Sequence, residues 1–122
     1  EEHSSSGLII STPAGSTGWL SSIFNMAYGV VGMFDKDLKQ QSPQLNDNEL
    51  LFAVREPFQS IKTQTGITTG IINNQNSLII ESLMPTSGVI FSDGIENDFL
   101  KFNSGSIAKI GIAPEKASIV IK

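Results

Sequence analysis

The densest chemistry in the sequence lies between Ser11 and Gly18, STPAGSTG, where four hydroxyl side chains and two glycines follow the apolar run Leu8-Ile9-Ile10. Small hydroxyl residues between a buried strand and a helix start leave backbone N–H groups open, and the positive end of the helix dipole adds to them. Such a loop suits an anionic or polar ligand. Trp19 follows in the first helical turn and offers an aromatic face to a base, while Ser22 lies three residues on along the same side. The alternative is that Trp19 packs into the core and the loop is only a capped turn.

Other arrangements carry less. Ala14-Gly15-Ser16-Thr17-Gly18 has the form of a nucleophile elbow, A-x-S-x-G, but a hydrolase built on it needs a His after the nucleophile. The single His, His3, precedes the loop and reads as a solvated residue near a frayed end. Asp93, Glu96 and Asp98 in SDGIEND lack the spacing of a calcium loop and read as a solvated turn.

The elements that must position the loop follow from pattern. Leu8–Ile10 predicts a strand. Trp19, Ile23, Met26 and Ala27 recur at helical spacing, so they predict a helix, capped by Ser16 or Thr17 and ended by Gly29 and Gly32. From Asp35 to Asn48 the composition is polar, with Pro43 and three Gln, and predicts a mobile surface connection. Beyond Glu49, short β-prone runs alternate with turn residues: LLFAV, GITTGII, SLIIES, GVIFS, IAKIGI and SIVIK. The fold class expected is mainly β, an antiparallel sheet or sandwich with one helix after the first strand. The Thr65–Ile71 echo, TGITTGI, reads as one strand.

Composition bounds the rest. A chain of 122 residues with 39% hydrophobic side chains is sized for a single domain with one core, burying roughly two-thirds of its unfolded surface. A net charge of -4 opposes non-specific nucleic-acid binding, which needs excess Lys and Arg to displace counterions. No apolar run approaches the roughly 20 residues of a membrane-spanning helix, and EEHSSS lacks the regions of a signal peptide. The absence of cysteine suits the cytoplasm.

The run GLIISTPAGSTGW, from Gly7 to Trp19, resembles the DG-(apolar)3-STPTGSTAY element of NAD kinases. These enzymes transfer a phosphoryl group from ATP or another donor to the adenosine ribose 2′-hydroxyl of NAD. GVIFSDG and FLKFNSGSIAKIGIAPEKASIVI are similar to the closing strands of the same family. The resemblance implies a β-rich C-terminal domain in which Thr17, Gly18, Trp19 and Ser22 help to form the dinucleotide site. It places Asp93 in a loop near the ligand. Ser6 stands where the family has Asp and Trp19 where it has Tyr, so a carboxylate is exchanged for a hydroxyl and the aromatic ring is enlarged. Both changes point toward a modified or different ligand. Arg55-Glu56-Pro57-Phe58 is a counterpart of the family's Pro-His-Ser segment without the His.

The resemblance also implies what the chain lacks. The family's GGDG motif, with its catalytic Asp, belongs to an N-terminal α/β domain, and no GGDG occurs here. The expectation is therefore a fragment of a two-domain protein, inactive alone. ATP and Mg²⁺ would be used only by the full-length protein, and NAD, the N-terminal domain and further copies of the chain would be its partners. Two other readings stay open: a lipid kinase of the diacylglycerol or sphingosine type, and a non-catalytic nucleotide-binding or oligomerisation module.

Overall fold

In the computed structural model, residues 1–92, 95 and 97–118 are described. β1, Gly7–Ser11, pairs antiparallel with β2, Leu50–Arg55, and β2 pairs antiparallel with β3, Thr69–Ile72. Between β1 and β2 lie a 3₁₀ turn, Ala14–Thr17, and the helix α1, Trp19–Val31. Two further antiparallel ribbons follow. β4, Leu78–Glu81, pairs with β7, Ile107–Ile110, and β5, Val89–Phe91, pairs with β6, Phe99–Lys101. The chain is mainly β, with one helix after the first strand, as the alternation of β-prone runs and turns predicts.

Several boundaries differ from the sequence reading. Only the second half of GITTGII pairs, and β6 is a strand that the pattern of runs missed. Residues 119–122 of the expected last strand lie outside the described residues. The helix ends at Val31, where the Gly32 N–H donates to the Tyr28 carbonyl at 2.8 Å, and Gly29 sits within it. Neither Ser16 nor Thr17 caps α1. Gly18 is its N-cap and supplies no side chain, while the Ser16 hydroxyl donates backward to the Pro13 carbonyl at 2.7 Å.

The inward face of α1 is centred on Leu20. Leu20 is buried to 1% exposure and clusters with Leu51 and Ala53 of β2, flanked by Ile23, Phe24 and Leu45. Trp19 and Met26 instead face solvent, at 52% and 56% exposure. On the strand β2, Leu51 and Ala53 alternate with Phe52, whose ring lies over Gly70 of β3, where an added Cβ would come within 2.6 Å of it. Glycine at 70 is what lets that ring close down.

No extensive packing joins the three sheets to one another among the described residues. The accessible surface is 9581 Å², against roughly 6,400 Å² for a compact monomer of this mass and about 19,000 Å² unfolded, so about half of the unfolded surface is buried rather than two-thirds. Separate two-stranded ribbons explain the shortfall. Ile79, Leu100 and Ile107 each remain more than 60% exposed. No described helix is long and apolar enough to cross a membrane.

The first residues are fastened rather than frayed. Glu2 and Ser4 carbonyls accept the Gln64 and Phe58 N–H groups at 2.9 and 2.8 Å, and His3 is half-buried, with Nε2 2.9 Å from a Glu1 carboxylate oxygen. The same Glu1 carboxylate accepts the Ile67 N–H at 2.8 Å, and that bond holds its carboxyl below the usual carboxylate range. Because the folded value is lowered, the tether contributes at pH above the unfolded value and is lost as pH falls through the folded one. The Ile67 amide resonance is therefore expected to titrate with Glu1, its midpoint lying below that of the same carboxyl in the unfolded chain. A midpoint at or above the unfolded one would refute the tether, and Glu1→Gln should abolish the transition.

Candidate functional site

The loop after β1 is organised by its own hydroxyls. The Thr12 Oγ1 accepts the Gly15 N–H at 3.1 Å, and the Ser11 hydroxyl, largely buried, donates to the Thr12 carbonyl at 3.0 Å. A Cβ at Gly15 would sit 3.2 Å from the Ser11 Oγ, so a small residue there keeps the turn tight. Gly18 donates its N–H to the Gly15 carbonyl at 3.0 Å and closes the 3₁₀ turn. Ser21, not singled out from the sequence, donates its hydroxyl to the Gly18 carbonyl at 2.7 Å and to the Thr17 carbonyl at 3.2 Å, locking the turn onto α1. The start of α1 carries no side-chain cap and no acidic residue in its first turn.

Five of the six expected site residues can be placed. Thr17, Gly18, Trp19 and Ser22 are all exposed along the turn and the first helical turn. Trp19 therefore does not pack in the core; that place is taken by Leu20. Ser6 precedes β1, and Asp93 lies outside the described residues.

The end of β2 touches both Ser6 and Trp19. The Ser6 N–H donates to the Arg55 carbonyl at 3.0 Å, the Ser6 hydroxyl donates to the Glu56 carboxylate, and the Arg55 guanidinium lies 4.7 Å from the centre of the Trp19 ring. Arg55 thus links Ser6, through its backbone, to Trp19, through its guanidinium, and the Glu56 carboxylate stands beside Ser6 at the start of β1. Glu56 has a positive φ of 49°, and Gly7, paired with Arg55, has a φ of 127° that favours glycine. In the sequence Arg55 and Glu56 stand out only as part of the Arg55–Phe58 segment. Their contacts join residues far apart in the chain, which local spacing does not encode.

No protein-family model, curated protein or solved structure matches this chain.

Two hollows lie on the described surface, one of them beside these elements. One, of about 120 Å³, lies between α1 and the 40–43 connection, where the Gln40 side chain donates to Asn25 Oδ1 at 2.6 Å. It is too small for a nucleotide, which needs a cleft of roughly 300 Å³ or more. The other, about 420 Å³, is bordered by Asn48, Asn74, Pro114 and Lys116 and by none of the loop residues. Ligand contact at Trp19 would therefore occur on an open wall. Among the described residues, no three His, Asp or Glu side chains gather to hold a metal ion.

Proposed function

We propose that this chain is a nucleotide-contacting domain akin to the C-terminal domain of NAD kinases, with Trp19 as the base-stacking surface. The observation that carries the reading is the exposure of Trp19 at the start of α1, directly after a Ser/Thr/Gly turn. A large indole left half in solvent sacrifices burial free energy, and stacking on a planar base would recover it. Thr17 and Ser22 supply hydroxyl groups beside it, Gly18 has no side chain to block approach, and Ser6 with Glu56 supplies acceptors for ribose hydroxyls. Phosphoryl transfer needs positioned donor phosphates, charge neutralisation and a proton-accepting carboxylate. None of the residues described here is assigned those tasks; ATP and Mg²⁺ would act on groups beyond these.

Calorimetry with NAD tests the reading. Trp19→Ala is expected to weaken binding by roughly 1–3 kcal/mol, the range of base–aromatic stacking, while Trp19→Tyr keeps most of it. Equal affinity of Trp19→Ala and the unaltered chain would sink the proposal.

A second reading, assembly, draws support from the uncovered ribbons, whose exposed Ile79, Leu100 and Ile107 and unpaired edges suit contact with further copies. Light scattering is expected to find more than one copy per particle, and a strictly monomeric chain at high concentration would remove this reading.

A further inference from the structure

We propose that Arg55 is an anion-binding residue, its guanidinium held on the Trp19 indole so as to take a phosphate of a nucleotide whose base lies against the same wall. The inference rests on the base-stacking reading for the nucleotide, but the anion site itself stands on separate observations. Arg55 makes no ion pair and no side-chain hydrogen bond among the described residues, although it is half-buried. The neighbouring Glu56 carboxylate is engaged by the Ser6 hydroxyl rather than by the guanidinium. A planar fork of five donors without an acceptor partner is matched to a phosphate or carboxylate.

The side chain is fixed at both ends. Its backbone carbonyl accepts the Ser6 N–H at the end of the β1–β2 ladder, and its guanidinium rests 4.7 Å from the indole centre. Opposite Arg55 in the ladder stands Gly7, and a Cβ built there would meet nothing within 4 Å. Paired residues of an antiparallel ladder share a face. The side of Arg55 that a partner side chain would cover is therefore open. A stack on tryptophan orients a guanidinium while leaving its in-plane donors free, so little side-chain entropy remains to be lost on binding an anion.

Trp19 is the single tryptophan of the chain, so its emission reads the stack directly. Inorganic pyrophosphate, titrated against sodium chloride at matched ionic strength, is expected to change Trp19 emission saturably. Arg55→Gln should weaken that response about tenfold or more, and Arg55→Lys should weaken it less, since the charge is kept but the fork is lost. Absence of a saturable response in the unaltered chain, or an undiminished one in a folded Arg55→Gln, would overturn the proposal. Should Arg55→Gln fail to fold, the salt-matched titration of the unaltered chain and Arg55→Lys decide it on the same terms.

Adenosine, which has no phosphate, separates this inference from the reading beneath it. Adenosine binding without a pyrophosphate response would retain the base wall and reject Arg55 as an anion site. Pyrophosphate binding without adenosine or NAD binding would do the reverse.

Discussion

Leu20→Ala is expected to unfold the part of the chain built from β1, α1, β2 and β3, because it removes the central side chain of the cluster that docks α1 on β2. Leu20 is 1% exposed and packs with Leu51 and Ala53, and only five hydrophobic residues are buried among the described residues. A buried Leu→Ala change costs about 2–5 kcal/mol, and a whole domain holds only about 5–15 kcal/mol. With half of its surface still exposed, this domain belongs at the low end of that range. Urea denaturation followed by circular dichroism should show the midpoint collapse. Met26→Ala, six residues along the same helix but 56% exposed, should stay within about 0.5 kcal/mol of the unaltered chain. An unchanged midpoint for Leu20→Ala would mean that α1 is not held by this cluster. The consequence reaches the site: Trp19 and Arg55 meet only while α1 lies against β2, so the altered chain should also lose its pyrophosphate response.

The same helix shows where the sequence was legible and where it was not. The strand, turn and helix of residues 7–31 could be read because apolar runs and turn residues alternate sharply there, and local conformational preference decides such boundaries. The direction of the helix could not. WLSSIFNMAYGVV is apolar on most sides, so the stripe beginning at Trp19 and the stripe beginning at Leu20 are equally periodic, and tertiary packing chose the second. That choice is what frees Trp19 for the site. Arg55 illustrates the other limit, since its place beside Trp19 depends on the register that sets Gly7 against Arg55. Register is a long-range property, fixed by the pairing of whole strands. The short β6 was missed for a related reason: three residues, all exposed, give too little alternation to mark a strand without its partner β5.

Gly88→Ala should disorder the second half of the chain while leaving the candidate site intact. Gly88 is buried, and a Cβ there would fall 1.9 Å from the Phe102 carbonyl oxygen and 2.7 Å from its carbon, both backbone atoms. That oxygen already accepts the buried Ser82 hydroxyl at 2.7 Å. The Gly88 N–H donates to Asn103 Oδ1 at 2.8 Å, and its carbonyl accepts the Phe102 N–H at 2.7 Å. A methyl group at 88 must therefore move the Phe102 backbone and break a polar knot linking the end of β4, the start of β5 and the end of β6. Overpacking costs about 1–3 kcal/mol, and each lost hydrogen bond about 1 kcal/mol more. Few apolar contacts exist here to offset such a loss. Hydrogen exchange should show faster exchange across residues 78–110, whereas residues 7–31 and the Trp19 emission stay unchanged, because no extensive packing couples the ribbons to α1. Gly111→Ala, whose added Cβ meets nothing within 4 Å, is the matched control and should exchange as the unaltered chain does. If Gly88→Ala instead disturbed Trp19, the two halves would fold as one cooperative unit, and the site would depend on the ribbons as well as on β1, β2 and α1.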